Sequence, residues 1–294
     1  MKYAWINEHR DSFPIAVMCD VLHVSTSGYY DSLQRSPGPR TERHQRIQQA
    51  VQQVHAESYG IYGSYKIADV LEKRDDLEGA CRNTVAATMR ELGLESRVVK
   101  AFKPTTTQAD PAKQPAENKL AQDFTAEAPN RRWVTDITYL PTASGWVYLA
   151  VVIDLFSRKV VGWSLGASLA TELVCEALRR AIELRRPNGK QLLHHSDRGC
   201  QYTSDLYQET LRLLGIECSM SRTGCCYDNA AMERFFWSLK HEWTNHDSYA
   251  DLEDARLSVF KYIETFYNTV RIHQKLGYLS PNQYEAEYAP AQAA

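Results

Sequence analysis

The sequence predicts an α/β fold, in which a mixed sheet carries helices on its faces and an all-helical region precedes it. Three β-type runs follow one another over residues 131–142, 145–154 and 158–166, with hairpin-length turns between them. Amphipathic helical segments then alternate with two short apolar runs, so the predicted order is β-β-β-α-β-α-β-α. This order is typical of a five-stranded mixed sheet flanked by helices.

The amino-terminal region opens with a helix-turn-helix-like pattern over residues 12–34. Pro14 begins the first helix of this pair, and Ser25 or Thr26 caps the second. A polar helix follows the breaker at 36–40, and its apolar residues form one stripe: Ile47, Ala50, Val51 and Val54. The pattern is common, so the first pair is compatible with DNA contact and also with a small helical hairpin that has no DNA role.

A second helical pair lies between residues 63 and 93, and Gly93 is expected to end it. Basic residues lie at the carboxyl-terminal end of this pair and beyond it: Arg90, Arg97, Lys100 and Lys103. A helical pair that is followed by basic residues can contact the phosphate backbone of DNA. We therefore predict that Arg90, Arg97 and Lys100 contact DNA, and a pure packing role for the pair is the alternative.

Composition marks the domain boundaries. Residues 105–129 are rich in Pro, Thr, Ala and Gln, which is typical of a linker. We therefore predict a helical, helix-turn-helix-like region at 1–104 and an α/β region at 130–248. A long helix and a short tail at 249–294 are expected to complete the α/β region.

Three acidic residues of the α/β region occupy positions that suit a metal site. Asp136 lies within the first strand, Asp197 follows the fourth, and Glu233 lies on a later helix, with Asp228 as its plausible N-cap. There are 35 residues between Asp197 and Glu233. Carboxylates from two strands and a helix offer hard oxygen ligands to divalent ions, which activate a water or hydroxyl against a phosphodiester. The acids therefore predict a metal-dependent polynucleotidyl transferase.

Other polar residues allow two interpretations. Lys240 lies two helical turns beyond the helix acid, on the same face, where it can bind a phosphate or simply be solvated. Arg271 and His273 can likewise reach DNA or lie on an ordinary surface. Asp154 is the rival for a metal position, and we interpret it as a turn acid that caps its turn or pairs with Arg158.

The bulk composition limits the class of protein. The net charge of −2 is mild evidence against a DNA partner, since DNA-handling proteins are usually more basic. The seven cysteines lack zinc-ligand spacing and predict reduced thiols. No apolar run approaches membrane-spanning length and the charged start is unlike a secretory signal, so we expect a cytoplasmic protein without a membrane partner.

Five ordered motifs resemble those of the integrase-like transposases of bacterial insertion sequences. They are WVTDITY, VVIDLFSRKVVGW, HSDRGCQYTS, GCCYDNAAMERFFWSLKHE and YNTVRIHQKLGYLSP. The resemblance covers nearly the whole chain and is strongest to the second (OrfB-type) frame of elements with two overlapping reading frames. Two positions depart from the family pattern: Cys225 stands where Asn is usual, and Lys66 lies in a loose version of a YG-x-R motif.

The resemblance implies a retroviral-integrase, RNase H-like catalytic core. Asp136, Asp197 and Glu233 match its metal-binding acidic (DDE) triad, and Lys240 matches its downstream basic position. The implied cofactor is Mg²⁺ or Mn²⁺, as two ions. The implied chemistry is cleavage that frees a 3′-hydroxyl at the element's ends, followed by strand transfer.

The resemblance also implies partners. They are DNA, further copies of the chain assembled on that DNA, and the upstream reading frame as a fusion or partner. Two alternatives to a transposase stay open at this point. One is an RNase H-like nuclease that cuts without joining, and the other is a catalytically silent DNA-binding remnant.

Overall fold

The structure, a computed structural model, describes residues 2–34, 38–97, 116–222 and 226–291. The first two of these ranges are all-helical, as the sequence predicts. They contain α1 (Lys2–Glu8), α2 (Ile15–Val21), α3 (Thr26–Gln34), α4 (Pro39–Glu57), α5 (Ser64–Lys73) and α6 (Arg82–Glu91). Both predicted pairs are present, as α2 with α3 and α5 with α6, whereas α1 was not predicted.

Helices α1 to α3 have a small core of their own. Its buried residues are Ile6, Met18, Cys19 and Tyr29. Ser25 caps α3 as predicted, because its Oγ accepts a hydrogen bond from the Gly28 amide at 3.0 Å. The preceding turn closes at His23, whose φ of 52° lies in the left-handed region.

Helices α4 to α6 share a core with the sheet. The predicted stripe of α4 is buried, together with Ile67 and Leu71 of α5 and Val85 of α6. The same hydrophobic cluster continues into the strands and into the helices that follow them. At the contact, the Tyr62 hydroxyl donates to Val270 O at 3.0 Å and accepts from the Ile272 amide at 2.9 Å. The second helical pair is thereby fixed to the carboxyl-terminal part of the chain.

Five strands form one mixed sheet in the order β3-β2-β1-β4-β5. They are β1 (Arg132–Thr142), β2 (Gly145–Asp154), β3 (Val160–Gly166), β4 (Leu193–Ser196) and β5 (Glu217–Met220). The first three pair antiparallel, whereas β4 pairs parallel with β1 and β5 parallel with β4. The predicted α/β, RNase H-like architecture is confirmed, with the strand that carries Asp136 at the centre.

Helices cover both faces of this sheet. α7 (Thr171–Arg185) and α8 (Asp205–Leu213) pack on one face, and α9 (Ala230–Glu242) and α10 (Leu252–Phe260) pack on the other. Side chains of β2 point alternately to the two faces of the sheet, so Val151 faces α9 and α10 while Val152 faces α7. α10 continues as a π-helix over Lys261–Tyr267.

The predicted carboxyl-terminal tail is wrong, because a further helix, α11 (Pro281–Ala291), lies there. Pro281 suits the first turn of a helix, where its missing N–H is not needed. Tertiary contacts then hold α11: Phe156 packs on Tyr284 with ring centroids 5.1 Å apart, and Glu285 pairs with Arg185 at 2.7 Å. These contacts come from distant residues, and the weak local pattern does not reveal them.

Asp154 is a structural turn acid. Its buried carboxylate accepts from the Asn130 amide at 2.7 Å and the Phe156 amide at 3.0 Å, which confirms the predicted turn cap. The predicted pairing with Arg158 is wrong, because the cation beside Asp154 is Arg185, at 3.3 Å. The Arg158 guanidinium donates to Phe124 O instead.

Residues 116–129 have neither helix nor strand, yet they pack on the sheet region. Leu120 is buried in the main core, and Ser219 Oγ accepts from the amides of Lys119 and Leu120 at 2.9 and 3.1 Å. The domain boundaries at residues 104, 129 and 248 stay predictions. In the four described ranges, no helix combines the length and apolar character that crossing a membrane requires.

Candidate active site

The register of β1 and β4 brings two of the predicted acids together. Val134 of β1 pairs with His195 of β4, and two residues further along each parallel strand lie Asp136 and Asp197. Because side chains alternate with a period of two, both acids project from the same face. Asp197 lies directly beyond the carboxyl end of β4, the edge at which α/β sheets bind their ligands.

A tight turn orients Asp197. Its Oδ1 accepts a hydrogen bond from the Gly199 amide at 2.9 Å. A Cβ at position 199 would lie 3.0 Å from Asp197 Oδ1 and 3.2 Å from Gln201 Oε1. Any residue other than glycine would therefore crowd the Asp197 carboxylate. Gln201 is itself held by donating to Leu169 O at 3.1 Å.

The third acid, Glu233, lies on the exposed side of the first turn of α9. Buried apolar residues on the opposite side fix this helix to the sheet: Met232, Phe235, Phe236 and Leu239. The helix start is tied to β1, because Asn229 Nδ2 donates to Thr135 O at 3.2 Å. The side chain of Glu233 is therefore presented from a rigid element beside the central strand.

The expected N-cap role of Asp228 is wrong. The residue before α9 is Asn229, and the Asp228 carboxylate makes other hydrogen bonds. It accepts from Asn118 Nδ2 at 2.8 Å, Gln122 Nε2 at 2.9 Å and the Arg222 amide at 2.8 Å. Asp228 thus anchors residues 116–122 to the site region, which local sequence pattern does not indicate.

The charges of the other two acids act on Asp136. Burial raises the pKa of Asp136 well above its ordinary value, and the charges of Asp197 and Glu233 raise it further, while Lys240 lowers it. Among the described residues, no three His, Cys, Asp or Glu side chains are already gathered closely enough to hold one ion. The donor set nevertheless fits divalent ions, because it consists of carboxylates whose mutual repulsion a cation relieves.

Lys240 lies near enough to Asp136 for their charges to interact. Its Nζ is 4.6 Å from the centroid of the Tyr139 ring on β1, a cation–π contact. Burial lowers the pKa of Lys240, and the charge of Asp136 acts in the opposite direction. Lys240 is therefore half-buried and not a fully solvated lysine, and its phosphate-binding role stays a prediction.

Arg271 is part of the core, which contradicts its predicted availability to DNA. Its Nε and Nη2 donate to the two carboxylate oxygens of Glu242, each at 2.6 Å, and both residues are buried. Tyr262 donates to the same carboxylate at 3.0 Å. A guanidinium whose fork is satisfied by a buried carboxylate has little capacity left for a phosphate.

His273 is half-buried beside this ion pair, with a ring nitrogen 3.2 Å from Arg271 Nη1. Burial and the neighbouring cations Arg271 and Lys66 lower the pKa of His273 well below its ordinary value, so the imidazole is neutral. A neutral, half-buried ring is not the exposed cation that a phosphate contact requires. The structure therefore does not support His273 as a DNA contact of the kind predicted.

The basic residues predicted to contact DNA at the carboxyl side of the second helical pair lie only partly within the described ranges. Arg90 and Arg97 are both exposed, and the Arg90 Nε donates to Ala86 O at 3.3 Å. Lys100 lies outside the described residues.

The buried histidines His194 and His195 hydrogen-bond to Tyr207 at 2.6 Å and Ser219 at 2.8 Å, so both are structural.

Lys66 on α5 is a half-buried lysine near the Arg271–Glu242 ion pair, a position that the sequence pattern does not reveal. Its Nζ lies 4.8 Å from the Tyr62 ring centroid, and burial, followed by Arg271, lowers its pKa to about 7. Its position in the YG-x-R-like motif is the signal that was available, but only the fold brings it near Arg271. Lys66 of the helical region thus lies near enough to Arg271 of the carboxyl-terminal segment to be repelled by it.

Replacing Lys66 by Met is expected to flatten the dependence of stability on pH above pH 7. Between about pH 7 and the ordinary lysine pKa, the unfolded chain binds a proton that the folded chain does not, so wild-type stability rises with pH. This single group contributes at most about 1.4 kcal/mol per pH unit in the free energy of unfolding. Urea titrations at pH 7 and 9 measure it, with the exposed Lys261→Met as control. An unchanged pH dependence in Lys66→Met would refute the assignment.

The chain matches known families along most of its length. It matches the integrase core domain over residues 126–226 and again over 214–281, and an HTH-like domain over residues 42–102. The HTH-like match includes the second helical pair and not the first. The integrase matches include all three acids and Lys240.

The whole chain also has similar relatives. It is 42% identical over 289 residues to the transposase InsF for insertion sequence IS3A of Escherichia coli (strain K12), which covers 97% of this chain and 98% of the relative. The chain belongs to the IS3 family of insertion-sequence transposases. This transposase is also 36% identical over 271 residues to an uncharacterized 31 kDa protein of insertion element IS600 from Shigella sonnei, covering 92% and 98% of the two chains. The predicted DNA transposase function is thereby confirmed.

Solved structures similar to the transposase include retroviral integrases. The HTLV-2 integrase catalytic core domain in complex with magnesium has a TM-score of 0.42 and 20% identity, and covers 54% of the transposase and 99% of that chain. A simian T-cell lymphotropic virus intasome in complex with PP2A regulatory subunit B56 gamma has a TM-score of 0.47 and 17% identity, covering 79% and 73%.

Proposed function

We propose that Asp136, Asp197 and Glu233 form the acidic triad of a divalent-metal-dependent polynucleotidyl transferase. The observation that carries this proposal is that acids on β1, directly beyond β4 and on α9 lie near enough to interact electrostatically. The β1–β4 register aligns the first two, and the charges of the other two acids both act on the Asp136 carboxyl group. Structural acids of this chain are instead paired with arginines, as Asp154 is with the half-buried Arg185 and Glu242 with the buried Arg271.

The three acids and Lys240 have different roles in the proposed site. Asp136 and Asp197 hold fixed positions on the sheet, and Glu233 approaches from the exposed side of α9. Two Mg²⁺ or Mn²⁺ ions bound by these carboxylates would polarise the phosphodiester and steady the attacking and leaving oxygens. Lys240 contacts a phosphate oxygen beside the scissile bond and orients the strand.

The proposed reaction has two steps. Water first attacks the phosphodiester at the element's end, and the P–O bond to the departing 3′-oxygen breaks to leave a 3′-hydroxyl. That hydroxyl then attacks a second phosphodiester, so one P–O bond forms as another breaks and strands are joined without a further energy source. The same acids serve both steps.

The proposed DNA interface extends to the helical region. Arg90 and Arg97 are exposed near the end of the second helical pair, and we retain them with Lys240 as phosphate contacts. Lys100 remains a proposed contact on sequence grounds. The domain division at 1–104, 105–129, 130–248 and 249–294 is part of this proposal, with the upstream reading frame and further copies of the chain as partners on DNA.

The test is a reaction with labelled DNA that carries the element's own ends, in Mg²⁺ or Mn²⁺. The expected result is joined product that requires both the ions and the end sequence. Scrambled ends of equal length are the control, and they should give no joining. Cutting that ignores the end sequence and is never followed by joining would favour a nuclease of RNase H type and overturn the proposal.

A further inference from the structure

An aromatic pair, the half-buried Tyr139 and the exposed Trp146, lies beyond Asp136 at the β1–β2 hairpin. The two rings meet edge to face, with centroids 4.9 Å apart and an interplanar angle of 84°. In the ladder, Tyr139 pairs with Tyr148 and Pro141 with Trp146, so the two rings are diagonal neighbours on one face of the sheet. Trp146 is 54% exposed. A large indole left open on a strand beside a catalytic site is available to a ligand.

The hairpin that carries Trp146 is held in place. The Ala143 amide donates to Tyr249 O at 2.8 Å, and the Ser144 amide and hydroxyl donate to Ala250 O at 3.2 and 3.0 Å. The turn is therefore braced against the segment before α10. A braced hairpin presents the indole in a fixed orientation, which recognition of a flat ligand requires.

Lys240 connects this aromatic pair with the acids. Its ammonium group lies over the Tyr139 ring. Tyr139 is three residues beyond Asp136, or about 10 Å, and by strand alternation projects from the opposite face of β1, so the lysine reaches it past the side of the strand. Trp146 lies opposite Pro141, five residues beyond Asp136 or about 17 Å along the strand, which equals about five base steps of DNA at ~3.4 Å each. β4 pairs with β1 only through Arg132, Trp133 and Val134, so within the described residues the edge of β1 beyond Asp136 has no strand beside it.

We propose that Tyr139 and Trp146 form a stacking platform for a nucleobase of the DNA end that is bound at Asp136, Asp197 and Glu233. This inference rests on the proposed function. Lys240 binds the phosphate, and the indole covers the face of a base a few nucleotides away. Bases inside a duplex are covered on both faces, so the platform takes a base that has left its stack at an opened end. Stacking on one aromatic ring changes affinity by about 5- to 150-fold.

The neighbouring charge favours DNA over a second protein chain as the occupant. The lysine lies over the Tyr139 ring, and a cation on one ring of a pair whose other ring is an open indole matches the phosphate and base of a DNA strand. A second copy of the chain would instead need an apolar surface extending well beyond these two rings. Self-association through Trp146 is therefore an outcome that the experiment must be able to reveal.

The experiment combines protein variants with abasic DNA. DNA ends that lack one base at each successive position are bound to the Glu233→Gln protein and to its Trp146→Ala derivative, so affinity is measured without chemistry. At one position, removal of the base should weaken binding to the Glu233→Gln protein by about 5- to 150-fold and have little effect on the Trp146→Ala protein. Trp146→Phe should keep most of the effect, and Trp5→Ala, at an exposed tryptophan on α1, should keep all of it.

Two results would overturn the proposal. One is an equal loss at every abasic position in the proteins with and without Trp146. The other is a change in oligomeric state of Trp146→Ala without DNA and no coupling to any base. Trp146→Leu, which keeps apolar bulk but lacks the ring, repeats the measurement if the alanine variant unfolds. Because only binding is measured, the result is separate from whether the triad catalyses joining.

Discussion

Glu233→Gln is expected to abolish end cleavage and strand joining and to leave DNA affinity nearly unchanged. The amide keeps the shape of the side chain but loses the charge that a divalent ion requires. The loss of several kcal/mol of transition-state stabilisation corresponds to about a thousandfold or more in rate. Glu233 is exposed on α9, so the fold should tolerate the change. Joined product on a gel and affinity from a filter or fluorescence assay measure the two effects.

Glu253→Gln provides the matched control for this experiment. Glu253 is an exposed carboxylate on α10 that pairs with Arg256 at 3.5 Å. Its loss should alter neither joining nor affinity appreciably, because exposed ion pairs contribute little. Normal joining by Glu233→Gln would remove Glu233 from the triad. A loss of DNA affinity as large as the loss of joining would mean that Glu233 has a structural role.

Arg271→Ala is expected to lower the free energy of unfolding by about 3–5 kcal/mol. The change leaves the Glu242 carboxylate buried without its bidentate partner, with Tyr262 and Lys66 as the remaining neighbours. Arg271→Lys should lie between the alanine variant and the wild type, because one ammonium cannot reproduce the two-pronged contact. Denaturant unfolding of the purified variants measures the difference.

Arg212→Ala serves as the control for the arginine experiment. Arg212 is largely exposed and pairs with Glu209 three residues earlier on α8. Its removal should cost about 0.5 kcal/mol or less. Unchanged stability of Arg271→Ala together with a clear loss of DNA affinity would restore the original prediction that Arg271 contacts DNA.

Much of the α/β region is readable from its sequence, because local pattern and burial agree there. The β1, β2 and β3 runs alternate or are continuously apolar, and the position of Asp136 follows from the first of them. The position of Asp197 follows from the short run of β4 that precedes it. Parallel pairing of β1 and β4 then aligns the two acids. The chemical type of a site can be predicted in this way when its residues lie at the ends or centres of regular elements.

Pairings between distant residues account for what the sequence did not reveal. Arg271 looks like a surface cation in a polar segment, and only packing against α9 shows that Glu242 neutralises it 29 residues away. Lys66 is likewise remote in sequence from the cations around it. Helix α11 depends on contacts made by Phe156 and Arg185, which a local pattern does not contain. The distant residue that pairs with a buried side chain can be recognised only after the fold is known.

Replacement of Asp197 by Cys, assayed for strand transfer in Mg²⁺ and then in Mn²⁺, tests the proposed metal role most directly. A thiolate is a poor ligand for Mg²⁺ and a better one for Mn²⁺. The account predicts that Asp197→Cys makes no joined product in Mg²⁺ and regains a measurable part of it in Mn²⁺, while Asp197→Asn is inactive in both. Equal activity of Asp197→Cys and wild type in Mg²⁺ would contradict the assignment of Asp197 as a metal ligand.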